Sequence, residues 1–182
     1  MWKGFLRFRH GRGHGVHSPY AFRFVQDVVR DSGYGYYAEN EICRHLKKEE
    51  LHDYDFQDFI GFIIKLASFL KSRRLVADPS LSRPVEIAAS CMNLKFVDMV
   101  KGGSDYPMEN DLIIVGGTRD INLNMEKCVE KSVPVYAVNP DHNVSQKLEQ
   151  PISRGLLLKD KREIILIPRK EMAYVVYDMK LR

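Results

Sequence analysis

The chain reads as an α/β protein: a mainly parallel sheet, behind an N-terminal helical extension and closed by C-terminal antiparallel strands. Two observations predict this. From Arg74 onward short β-branched runs alternate with short helical patterns, the signature of βαβ units. Ahead of Arg74 apolar residues recur only at helical spacing. At 182 residues the chain suits one structural domain with a proper core. Within it, residues 1–72 form a basic arm and helices packing on the core, and residues 73–182 form the α/β core.

Ser18-Pro19 is a helix start, because serine can cap and proline is pre-set for the first helical position. Phe22, Val25, Val28 and Val29 carry that helix to about Asp31. Gly33 and Gly35 break the chain among Tyr34, Tyr36 and Tyr37, and Ile42, Leu46 and Leu51 mark a second, amphipathic helix. A third helix, Asp55 to about Ser72, carries a broad apolar face that must be buried. Strands are predicted over Leu75–Asp78, Lys95–Met99, Asp111–Val115 and Val133–Val138. Helices are predicted over Pro84–Cys91, opening behind Ser82, then Asn122–Lys131 and Asn143–Glu149. Gly155–Leu158, Arg162–Ile167 and Ala173–Met179 read as further strands, an antiparallel hairpin closing one edge of the sheet.

Hydrophobic content of 45% and charged content of 29% are those of a soluble globular protein. No apolar run approaches the roughly 20 residues of a membrane helix, and the basic N-terminus lacks a secretory h-region, so a cytoplasmic location is expected. Cys43, Cys91 and Cys128 lack CxxC spacing, which argues for buried free thiols over a disulfide or zinc site. His10, His14 and His17 have no acidic or cysteine ligand near in sequence, and no metal is expected. Gly102-Gly103 and Gly116-Gly117 lack phosphate-loop spacing and read as tight turns. Lys47-Lys48-Glu49-Glu50 reads as an exposed helix end.

The net charge of +4 is uneven, since Lys3, Arg7, Arg9, Arg12 and Arg23 all precede the first acid, Asp27. Interleaved with Trp2, Phe5 and Phe8, these cations could grip nucleic acid, form a solvated amphipathic edge or lie on the acidic surface of a partner chain.

Arg74 to Ala89, RLVADPSLSRPVEIAA, has the outline of a nucleotide-binding strand-turn-helix without its glycines. Pro79 removes an N–H donor, and Arg83 fills with side chain the space where a backbone should approach a ligand. The opening GHGVHSPYAFRFVQDVV (Gly13 to Val29), the long helix before the first strand and the closing REIILIPRKEMAYVVYDMK (Arg162 to Lys180) resemble a small bacterial group of class I S-adenosylmethionine-dependent methyltransferases.

That resemblance implies a Rossmann-like sheet with a cofactor crevice at the ends of its first strands. Residue by residue, it implies Asp78 and Ser80 in the turn under the methionine part of the cofactor, and Asp98 at the ribose hydroxyls. Gly116 stands where an aspartate belongs, and Asn139-Pro140-Asp141 where one or two acids are usual. Between the second strand and Asp111 lies only KGGSDYPMEN, about ten residues, too few for the family's third strand with its helices.

These departures predict a degenerate, shortened member with an eroded S-adenosylmethionine site and no catalytic residues, serving as a binding or assembly subunit. The alternatives are an active methyltransferase that binds S-adenosylmethionine through Asp78, Ser80 and Asp98 and acts on a small molecule, or a nucleic-acid-binding protein using the basic arm. An open edge in the reduced sheet predicts a homodimer or another protein partner.

Overall fold

Continuous apolar runs in short strands require cover on both faces, and the chain supplies it with helices before and between them. The computed structural model describes residues 18–30, 35–50, 53–100, 106–117, 123–149 and 153–182. The basic arm with Trp2, His10, His14 and His17, the breaks at Gly33 and Tyr34, Leu51, Gly102-Gly103 and Asn122 lie outside them. So do the side chains of Tyr36 and Tyr37.

Ser18 caps α1 (Pro19–Phe24), its hydroxyl accepting from the Ala21 N–H at 3.3 Å. The helix then widens into a π turn over Val25–Val29, closed by the Arg30 N–H on the Val25 carbonyl, which brings Val25 and Val28 inward. Helix α2 (Gly35–His45) ends before Leu46, and α3 (Tyr54–Leu70) is capped by Asp53. The remaining order is β1 (Arg74–Ala77), a single 3-10 turn Pro79–Leu81, α4 (Ser82–Cys91), β2 (Lys95–Asp98), β3 (Asp111–Gly116), α5 (Met125–Glu130), β4 (Val135–Val138), α6 (His142–Glu149), β5 (Arg154–Lys159), β6 (Glu163–Ala173) and β7 (Val175–Asp178).

The seven strands form one mixed sheet in the order β2-β1-β3-β4-β6-β5-β7. Strands β1 to β4 pair in parallel, β6 runs against both β4 and β5, and β7 is parallel to β5. Two sequence expectations change here. Only β6 is antiparallel to its neighbours, and the β5–β6 hairpin does not close the edge. Burial explains why: Glu163 to Pro168 is buried without interruption, which demands an interior strand, whereas β7 is only partly buried and takes the edge. Ala173 lies opposite Arg154 and Val175 opposite Leu156, so the chain passes around the start of β5 between them.

Alternation divides the core in two. Leu75, Ala77, Leu112, Ile114 and Tyr136 face α1, α3 and α4, while Val76, Ile113, Val115, Val135 and Ala137 face α5 and α6. The result is a three-layer α/β/α arrangement in which the front helices share one core with the sheet. Its buried charges are paired: Asp111 with Arg74 at 2.7 and 2.8 Å, and Glu163 with Arg182 at 2.5 Å. Among the described residues, no helix is long and apolar enough to cross a membrane.

Candidate functional site

In a parallel sheet wound both ways, ligands bind beyond the carboxyl ends of the strands where the winding reverses. Here β1 continues through α4 to β2 on one side and β3 through α5 to β4 on the other, so the reversal falls between β1 and β3. Asp78 follows β1 directly and Gly116 ends β3.

The Asp78 carboxylate folds back on its own chain. Oδ1 accepts from the Ser80 N–H at 2.7 Å and the Ser80 hydroxyl at 2.5 Å, capping the Pro79–Leu81 turn. Oδ2 accepts from the Gly116 N–H across the crevice. Three of the roughly four acceptor positions of a carboxylate are thereby used within the chain. The crevice is correspondingly tight: a Cβ at Gly116 would lie 2.3 Å from Ser80 Oγ, and one at Gly117 only 1.7 Å from the Asn139 carbonyl oxygen. Asp141, the acid after β4, caps α6 by accepting from the Val144 N–H at 2.7 Å.

Asp98 sits at the end of β2, in register with Ala77. Its Oδ1 accepts from the Val100 N–H at 2.9 Å, and its Oδ2 lies 3.3 Å from Ser82 Oγ. Ser82 Oγ is also 3.2 Å from the Asp78 carbonyl, and its single proton serves one acceptor at a time. The three residues expected at the site, Asp78, Ser80 and Asp98, are thus brought to one end of the sheet and joined through Ser82. The sequence places the start of α4 at Pro84, behind Ser82; the helix instead begins at Ser82, whose hydroxyl lies near the Asp78 carbonyl and the Asp98 carboxylate.

Arg83 corrects a second expectation. Its guanidinium leaves the turn and reaches Glu50 at 3.0 and 3.2 Å and the His45 carbonyl at 3.0 Å. Glu50 is therefore half of a tether rather than part of a solvated helix end. The Arg83 bond, joined by the Lys47 N–H at 2.6 Å, holds its carboxyl below the usual range. Sequence carries no signal for this pair, whose members stand 33 positions apart.

Burial pushes the Cys128 thiol up to about 12, with Asp111 adding to the effect, and raises that of Cys91 too, so both favour the inert thiol. Among the described residues no group of three His, Cys, Asp or Glu side chains could hold a metal ion. No family model matches the chain, and no curated protein or solved structure gives a significant match to it.

Proposed function

We propose that this protein is a methyltransferase-like scaffold that acts by binding, as a non-catalytic partner or assembly subunit. The observation that carries the reading is the Asp78 carboxylate closing on the N–H groups of Ser80 and Gly116. Backbone donors at a switch point serve a ligand only when they are free to point at it. Here both are held by Asp78, which supports an eroded S-adenosylmethionine site. The order β2-β1-β3-β4 supports the Rossmann-like part of the reading: it is the doubly wound order without its outer strand. Strands β2 and β7 have a strand partner on one side only among the described residues, and such edges invite pairing with another chain, which supports an assembly role.

A second reading, a working methyltransferase acting on a small molecule, is favoured by one observation. Asp78, Ser80 and Asp98 do converge on the crevice, so that a rotation of Asp78 would release two N–H donors together. Calorimetry of the full chain with S-adenosylmethionine and with S-adenosylhomocysteine separates the two. The scaffold reading expects no saturable heat for either up to about 1 mM, a binding free energy weaker than about 4 kcal/mol. Micromolar binding of either compound replaces it with the second reading.

A further inference from the structure

The end of the sheet opposite Asp78 carries an open cavity of about 450 Å³, within the size range of small-molecule sites. It lies where β3 and β4 begin and where α3 and α5 end. Phe69, Pro134, Ile167 and Pro168 supply its apolar wall.

Half of the six charged side chains lining it are paired with an opposite charge. Arg169 binds Glu171 at 2.7 and 2.9 Å and lies 4.2 Å over the Tyr20 ring, while Asp111 is held by Arg74. Lys131 spends one N–H on the Pro107 carbonyl at 2.9 Å and keeps two. Lys71, Asn110, Ser132 and Glu109 also line the cavity, and none has a side-chain partner among the described residues. Two amines, an amide and a hydroxyl therefore face a single uncompensated carboxylate.

The backbone adds an independent observation. Of the five non-glycine residues with positive φ among the described residues, three line this cavity: Lys71 (55°), Asn110 (64°) and Ser132 (55°). Lys71 ends α3 and Ser132 follows the last turn of α5, positions where glycine is the residue a left-handed cap favours. Side chains are kept there although no hydrogen bond within the described residues uses them. Strain of this kind gathers at ligand sites.

We propose that the cavity binds a small organic anion, a carboxylate or phosphate group carried on an apolar or aromatic body. The anion would sit between the Lys71 and Lys131 amines, with the Ser132 hydroxyl and Asn110 amide as neutral donors, and the body against Phe69 and Pro168. This site is separate from the crevice at Asp78 and stands whichever reading of that crevice holds.

The test is titration of the full, isotopically labelled chain with phenyl phosphate, benzoate and benzylammonium, followed by amide chemical shifts. Saturable shifts at residues 109–111 and 131–132 and at Ile167 and Arg169 are expected with one or both anions, and which of them saturates identifies the headgroup. Benzylammonium should give none. Lys71→Gly and Ser132→Gly should each raise the thermal unfolding midpoint while weakening the anion by about tenfold. No saturation by either anion, saturable shifts with benzylammonium, unchanged affinity in both variants, or a lowered midpoint in Lys71→Gly would each overturn the proposal.

Discussion

Gly116 and Gly117 stand side by side at the end of β3, yet contact makes them unequal. An added methyl at Gly116 meets the Ser80 hydroxyl, a short side chain that can rotate away at the loss of its bond to Asp78. One at Gly117 meets the backbone carbonyl of Asn139, itself at φ 48° and tied to the residue before β6 by its N–H on the Arg162 carbonyl at 2.6 Å. Backbone yields less readily than a hydroxyl. Gly116→Ala should therefore cost about 1–2 kcal/mol and Gly117→Ala about 3 kcal/mol or more, measured by urea unfolding. In a Ser80→Ala background the Gly116→Ala cost should shrink, because the atom it strikes is gone. Equal costs for the two substitutions would show that the crevice is looser than its distances imply.

Among the elements, the Glu50–Arg83 pair joins the turn after α2 to the first turn of α4, and so holds the front helices against the crevice. Arg83 and the Lys47 N–H lower the Glu50 carboxyl in the folded state, so its contribution is present above the unfolded value, about 4.3, and is lost as pH falls through the folded one. Glu50→Gln should lower the unfolding midpoint modestly at pH 7, the pair being partly solvated, and the gap to the parent protein should close toward pH 3. A gap independent of pH would assign the effect to packing. Pairs of this kind show where sequence reading stops. The strands of residues 74–138 were legible because each is an apolar run bounded by turn residues. The convergence of Asp78, Ser80 and Asp98 was legible because each closes or follows a parallel strand. That Asp78 would hold the Gly116 N–H was not, since the donor arrives from 38 positions away and a backbone N–H leaves no mark in composition. Strand adjacency at the C-terminus was equally hidden: local period marks β5, β6 and β7 as strands but not which of them is central. Only the unbroken burial of Glu163 to Pro168 separates β6 from an edge, and its sequence signal, the apolar run IILIP, fits a hairpin arm equally well.

Across the whole molecule, the order β2-β1-β3-β4-β6-β5-β7 places the most covered strands at the centre and the least covered at the rims. Leu75, Val76 and Ala77 of β1, Leu112 to Ile114 of β3 and Val135 to Ala137 of β4 are fully buried, with layers of helices on both faces. Every residue of β2 is at least partly exposed, and β7 buries only Tyr177. Opening β2 exposes little apolar surface, whereas opening β3 must part both halves of the core, so the two motions should differ widely in free energy. Native-state hydrogen exchange should then find the bonded amides of β1, β3 and β4 exchanging only through global unfolding. Those of β2 and β7 should exchange at least about a hundredfold faster, a gap of about 3 kcal/mol at 1.4 kcal/mol per decade. A partner strand on the β2 edge would alter this pattern in a telling way, because it would slow β2 with rising protein concentration and leave β7 unchanged. Concentration-independent exchange at β2, as fast as at β7, would instead place any assembly surface away from that edge.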